Sequence, residues 1–134
     1  MKDSYKKEKP KKIIYDNQKE IHNQIFHYLK SLFKDINCEA YLVGSSTTGK
    51  FGKYNEIHND QSGSDIDVVV FLEEIPSTWK KLDTEKDWWN LYRIGELEIN
   101  NTIHFTDAMV VKKDKENVAI KKFKELGWNV EKIK

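Results

Sequence analysis

The sequence predicts an α/β (α+β) domain, a small mixed β-sheet flanked by helices. Three observations carry that expectation. Apolar residues recur at steps of three and four between Tyr15 and Ile36, the mark of an amphipathic helix. Ser64 to Leu72 alternates with period two, the mark of a strand. Further helical and strand segments interleave along the rest of the chain, which argues for packed layers. The 134 residues fit one domain, residues 12–134, preceded by a basic tail at 1–11. That length leaves little room for a second, substrate-binding domain.

Residues 1–11 are polar and Lys-rich and read as a solvated tail, the alternative being a basic arm that contacts phosphates. The first helix places Ile21, Ile25, Leu29, Leu32 and Ile36 on one stripe, with His22 and His27 on or near its polar side. Ala40–Val43 reads as a buried strand running into Gly44-Ser45-Ser46-Thr47-Thr48-Gly49. Lys50 to Gly63 is polar, with three further turn-formers at Gly52, Asn55 and Asn59, and reads as a loop. Ser64–Leu72 is the clearest strand, with Asp65, Asp67, Val69 and Phe71 on one side and Ile66, Val68, Val70 and Leu72 on the other. After Pro76, Ser77 is positioned to cap a helix holding Trp79 and Leu82, and Lys86–Arg93 reads as a second helical stretch stopped by Gly95. On that reading Trp88, Trp89 and Tyr92 pack in a core or interface, with stacking on a base as the alternative. Glu96–Ile99 and Thr102–Val111 read as strands joined by a tight turn at Asn100-Asn101. Lys115–Leu126 reads as a helix with Val118, Phe123 and Leu126 toward the core, ended by Gly127, and Trp128–Ile133 as a last short strand.

Composition excludes several classes. With 34% charged and 38% hydrophobic residues the chain reads as globular rather than disordered. A net charge of +1 gives no global preference for nucleic acid or membrane. The single cysteine, Cys38, forms no internal disulfide, and the four histidines lack ligand spacing for zinc. No apolar run approaches a membrane span, and the Lys-rich start lacks the apolar stretch of a signal peptide. A cytoplasmic, reducing location is expected.

The chemistry concentrates in two segments. Asp65 and Asp67, at i and i+2 of a strand, project from one face with Cβ atoms roughly 6–7 Å apart. Both reach toward common divalent cations, and Mg²⁺ prefers one or two carboxylates completed by water and substrate phosphates. Two such ions about 3.5–4 Å apart stabilise the attacking and leaving oxygens of an in-line displacement. Like charges beside apolar Val69 and Phe71 need a counter-ion; the bland alternative is a strand starting at its solvated end. The Gly44-Ser45 turn offers backbone N–H groups and a hydroxyl to phosphate oxygens, or else is an ordinary strand-to-helix turn.

Gly44-Ser45-Ser46-Thr47-Thr48-Gly49, followed by Gly63-Ser64-Asp65-Ile66-Asp67-Val68-Val69-Val70, resembles the signature of the DNA polymerase β-like nucleotidyltransferase superfamily. That pattern is Gly-Ser, a helix, then Asp-x-Asp on a strand and a third carboxylate on a later strand. The likeness runs from about Tyr41 to Val111. It implies a nucleotidyltransferase-like fold and transfer of a nucleoside monophosphate from a nucleoside triphosphate, ATP in the first place, with release of pyrophosphate. It also implies Gly44 and Ser45 on the triphosphate, and Asp65 and Asp67 on Mg²⁺, with Mn²⁺ as the alternative ion.

Asp107 is expected to be the third acid. It shares a face with Ile103 and Phe105, where an acid needs a partner or a metal. Its implied roles are metal binding and acceptance of the attacking hydroxyl's proton. Glu98 is the runner-up. His104 alternates to the opposite face and reads as structural. Lys50–Gln61 looks like an insertion relative to minimal members, either a lid, a partner-binding loop or inert; its Lys50 and Lys53 are candidates for phosphate but read more simply as surface lysines. The acceptor stays open among a protein hydroxyl, a transfer RNA end, a small molecule and another nucleotide. The shortness of the chain, set beside the resemblance, implies a separate helical partner protein, as in toxin–antitoxin pairs. The competing expectation is a non-catalytic nucleotide- or partner-binding module of the same fold, such as an antitoxin-like component.

Overall fold

The computed structural model describes residues 11–58, 61–83 and 88–134. The expected tail lies outside these residues except for Lys11, which is exposed. Among the described residues the architecture is mixed α+β, with two α-helices and two sheets.

Strand β1 (Lys12–Ile14) precedes helix α1 (Gln18–Leu32). The helix begins three residues after Tyr15 because that residue is committed elsewhere. Its N–H donates to the Phe51 carbonyl at 3.1 Å, and the Gln18 side chain donates to both the Tyr15 and Phe51 carbonyls at 2.7 Å. The predicted stripe is the buried one: Ile21, Ile25 and Leu29, continued by Phe33 just past the helix, face the sheet. Each such side chain contributes about 1.5–3 kcal/mol on full burial. His22 departs from the expected surface role. It is half-buried and hydrogen-bonded to Glu131, tying α1 to the end of the chain.

The larger sheet has six strands: β2 (Glu39–Val43), β5 (Ile66–Leu72), β6 (Lys80–Asp83), β7 (Trp89–Ile99), β8 (Thr102–Lys112) and β9 (Glu131–Lys132). Their order is β6-β7-β8-β5-β2-β9. Only β5 and β8 run parallel; the other neighbours are antiparallel. Side-chain parity on β5 follows the sequence pattern. Ile66, Val68, Val70 and Leu72 join the core under α1, whereas Val69 and Phe71 join a second core under helix α2 (Glu116–Leu126). The sheet is therefore flanked by a helix on each face.

Four expectations are corrected. The stretch from Lys50 to Gly63 is not a loop: β3 (Gly52–His58) and β4 (Gln61–Gly63) pair antiparallel, and with β1 they make a separate three-stranded sheet. Its polar, solvent-facing strands carry no apolar alternation to betray them. Gly52 marks a close approach, since a β-carbon there would sit 2.2 Å from the Ile13 carbonyl oxygen. The helix expected after Ser77 is instead a turn, with Trp79 N–H donating to the Pro76 carbonyl at 3.2 Å, followed by edge strand β6. One apolar anchor, buried Trp79 against Phe33, does not make a helical stripe.

The helical stretch at Lys86–Arg93 lies partly outside the described residues, and its remainder opens β7. Tyr92 is buried on the α1 side, whereas Trp89 and Leu91 lie on the other; large side chains divided between two faces with period two suit a strand. Finally, Val118 and Leu126 of α2 are exposed, because this short helix docks through Ala119 and Phe123. Gly127 ends it in the left-handed region, as expected, but the last strand is only two residues long. The Asn100-Asn101 turn holds: both residues have positive φ, 52° and 63°, the pattern of a tight hairpin turn.

Candidate active site

Strand β2 leaves the sheet at Gly44, and the chain turns there in a conformation open only to glycine, with φ 87° and ψ −160°. A 3-10 turn, Ser45–Thr47, follows. The Thr47 N–H and hydroxyl both donate to the Gly44 carbonyl, at 3.0 and 2.7 Å, and Thr48 and Lys50 N–H groups donate to the Ser45 carbonyl at 3.2 and 3.1 Å. Asn129 braces the loop from outside, its side-chain N–H donating to the Thr47 carbonyl at 2.9 Å. Ser46 is buried, and its hydroxyl has no hydrogen-bond partner among the described residues.

The loop closes directly on the acid strand. Val43 pairs with Asp67, and a β-carbon on Gly44 would lie 2.8 Å from the Asp67 carboxylate. On the other side of β5, Asp67 is in register with Asp107 of β8. Residues side by side in a parallel pair point the same way across about 4.8 Å. Both carboxylates therefore face one cleft of about 530 Å³, which Gly44, Thr47 and Thr48 line from the loop. Ser45 does not line it; the 3-10 turn rotates it away and presents the two threonines, which the Gly-Ser dipeptide did not indicate. The opposite wall is apolar, with Trp89, Leu91 and Met109, and Trp128 closes the end while stacked on Phe123 at 5.0 Å and 9° between planes.

Asp107 is 6% exposed and held by Arg93, its partner across the β7–β8 ladder. The guanidinium makes a two-pronged pair, Nε to Oδ1 at 2.9 Å and Nη2 to Oδ2 at 3.3 Å, and lies 4.0 Å over the Phe105 ring. The hydrogen bond to Asp107 raises the Arg93 pKa most; burial opposes it, and the charges of Asp107 and Asp65 add to the rise. Asp65 sits one residue before β5 and is half-buried. Tyr54 of β3 shares this field: burial, then the charges of Asp65 and Asp67, push its phenol up. Asp65, Asp67, Asp107 and Arg93 thus form one electrostatic group in which acids outnumber the cation.

The other candidates are set apart. Glu98 pairs with Ile103, four residues from Asp107, which is roughly 13 Å along the strand. Lys50 and Lys53 do not line the cleft. His104 is fully buried on the α1 side, as its parity required. Its Nδ1–H donates to the Ser64 carbonyl at 2.7 Å, which assigns the proton because a carbonyl only accepts, and the Tyr15 hydroxyl donates to Nε2 at 2.9 Å. Burial lowers its pKa, and the Ser64 bond partly offsets that. This network pins the residue preceding Asp65, so His104 positions the acid strand from behind.

Among the described residues, no three His, Cys, Asp or Glu side chains converge as a ready metal cage. The donor set still fits Mg²⁺: carboxylate oxygens are hard ligands, and Mg²⁺ characteristically takes one or two of them and completes its shell with water and phosphate. No described helix is long and apolar enough to cross a membrane. Comparison with protein-family models, with curated proteins and with solved structures gives no match to this chain.

Proposed function

We propose that the chain is a metal-dependent nucleotidyltransferase that moves a nucleoside monophosphate from a nucleoside triphosphate, ATP first, to an acceptor hydroxyl with release of pyrophosphate. One observation carries this reading. Asp67 stands between the Gly44 loop and Asp107, and all three line the same cleft. Gly44 lets a phosphate approach the backbone closely, and the Thr47 and Thr48 hydroxyls, which donate to the Gly44 and Ser45 carbonyls, would turn to phosphate oxygens. The apolar wall at Trp89, Leu91 and Met109 suits a base.

Asp67 and Asp107, which line the cleft, would hold Mg²⁺ or Mn²⁺ for charge neutralisation of the phosphates, and Asp65, outside the cleft lining, would add its charge to their field. The protein's part is placement. The loop fixes the triphosphate, the cleft walls orient the base, and Asp107 accepts the proton of the attacking hydroxyl as its oxygen bonds the α-phosphorus and pyrophosphate leaves. The reading implies a cytoplasmic setting, where nucleoside triphosphates are held.

Incubation with α-labelled ATP, GTP, CTP or UTP, Mg²⁺ and cell extract tests the reading. Stable label from an α-labelled, but not a γ-labelled, nucleotide on a protein, transfer RNA or small-molecule fraction is the expected result, and it names the acceptor. Absence of label in every fraction counts against transfer. A second reading, a nucleotide- or partner-binding module without turnover, such as an antitoxin-like component beside a helical partner, is favoured by the two-pronged Arg93–Asp107 pair, which occupies one of the acids. It predicts nucleotide binding with no labelled product.

A further inference from the structure

Arg93 has no place in the motif that led to the acids, yet it is the side chain most intimately attached to one of them. Three features of its setting go together. The pair uses both oxygens of Asp107. The acid is nearly buried, with 8% of its side chain exposed, while the arginine keeps 29% and stands on the sheet face that carries the cleft, beside Asp107 rather than in the cleft lining. The guanidinium rests on the Phe105 ring, a flat apolar support along which it can move without losing its contact.

The ladder explains how it gets there. β7 carries one extra residue at Ile94 between the Arg93–Asp107 and Gly95–Thr106 pairs. That bulge puts Arg93 on the acid face while returning Leu97 and Ile99 to the α1 core. A charged donor has been aimed at this carboxylate by a local break in an otherwise regular hairpin.

From this geometry we propose that Arg93 is a cationic placeholder. It neutralises Asp107 when no divalent cation is bound, competes with an incoming cation for that carboxylate, and is released toward the phosphates of a nucleotide when cation and nucleotide arrive together. A nearly buried carboxylate left unpaired is costly, so a displaceable cation keeps the site folded while empty. Guanidinium matches carboxylate and phosphate alike through its planar fork, so the same side chain serves both partners. The release toward phosphate rests on the nucleotidyltransferase reading; the competition with a cation does not.

The test is Mn²⁺ alone, titrated into the full chain and followed as free Mn²⁺ by electron paramagnetic resonance, with melting curves to establish folding. Arg93→Met is expected to bind Mn²⁺ about tenfold more tightly than the parent, and the gain is expected to vanish in Arg93→Met combined with Asp107→Asn. Arg93→Lys, which keeps the charge but loses the fork, is expected to fall between, and it carries the test if Arg93→Met does not fold. In the presence of Mn²⁺, the same Arg93 variants are expected to bind ATP more weakly. Equal or weaker Mn²⁺ binding by the folded variants overturns the placeholder, as does absence of Mn²⁺ binding in parent and variants alike. Tighter Mn²⁺ binding without any nucleotide transfer by the parent supports the placeholder and removes the transferase reading, so the two fail separately.

Discussion

Gly44 and Asp67 touch. The glycine's Cα hydrogen points at the carboxylate so closely that a β-carbon there would stand 2.8 Å from Oδ2, and the backbone has φ 87°. Gly44→Ala therefore meets two obstacles at once. The backbone conformation costs about 1–3 kcal/mol for any other residue. The added methyl then relieves its clash by pushing the Asp67 carboxylate aside. We predict an unfolding free energy, from urea melts, lowered by that amount and, separately, loss of nucleotide binding in the fraction that remains folded. A variant that keeps full affinity in calorimetry would show that the contact does not position the acid.

Asp67 and Glu98 form a matched pair for testing the acid assignment. Asp67 lines the cleft beside Asp107, whereas Glu98 is roughly 13 Å up the ladder and exposed. Asp67→Asn is expected to lower transfer at least about a hundredfold, equivalent to roughly 2.7 kcal/mol, because neutral oxygen loses most of its attraction for the cation. Glu98→Gln is expected to leave transfer within about twofold. Equal rates for parent and Asp67→Asn would remove the carboxylate from the reaction.

The acids were legible in the sequence because each is a local exception to a local rule. A strand of period two with acids among Val and Phe needs only neighbouring residues to be noticed, and the parallel register of Asp67 with Asp107 then brings the two exceptions together. Arg93 was hidden for the opposite reason. Its role depends on a partner fourteen residues away and on a bulge at Ile94, and from sequence the Lys86–Arg93 stretch reads as helical. The three-stranded sheet was hidden because strands with solvent on their sides carry no apolar alternation; Ile57 in β3 is itself exposed. The loop was half legible: Gly44 marks the turn, but which hydroxyls reach the cleft depends on the 3-10 rotation, which favours Thr47 and Thr48 over Ser45.

His104 makes the fold pH-sensitive. Burial lowers its pKa below the ordinary 6.5, so the folded chain resists a proton that the unfolded chain accepts. The histidine's contribution to stability is full above about pH 6.5 and is lost as pH falls below it, with a slope of at most about 1.4 kcal/mol per pH unit. Its neutral form accepts from Tyr15 and donates to Ser64, so protonation turns an acceptor into a second donor. We predict that the stability gap between the parent and His104→Gln, measured by urea melts, narrows between pH 7.5 and 5.5. A constant gap would mean that His104 does not titrate on unfolding in this range.

Trp128 offers the sharpest probe of what the apolar end of the cleft receives. It closes the cavity that Asp67 and Asp107 open onto, and its ring is already held flat by Phe123 at 5.0 Å, so presenting it to a base costs little side-chain freedom. Stacking of a base on an aromatic ring contributes about 1–3 kcal/mol. Trp128→Ala is therefore expected to weaken ATP binding about tenfold, equivalent to about 1.4 kcal/mol, and to leave inorganic triphosphate binding unchanged. Trp128→Phe, which keeps a ring, is expected to recover most of the loss. If triphosphate weakens in parallel with ATP, the tryptophan supports the Thr47–Asn129 brace rather than the base, and the nucleotide lies the other way round in the cleft.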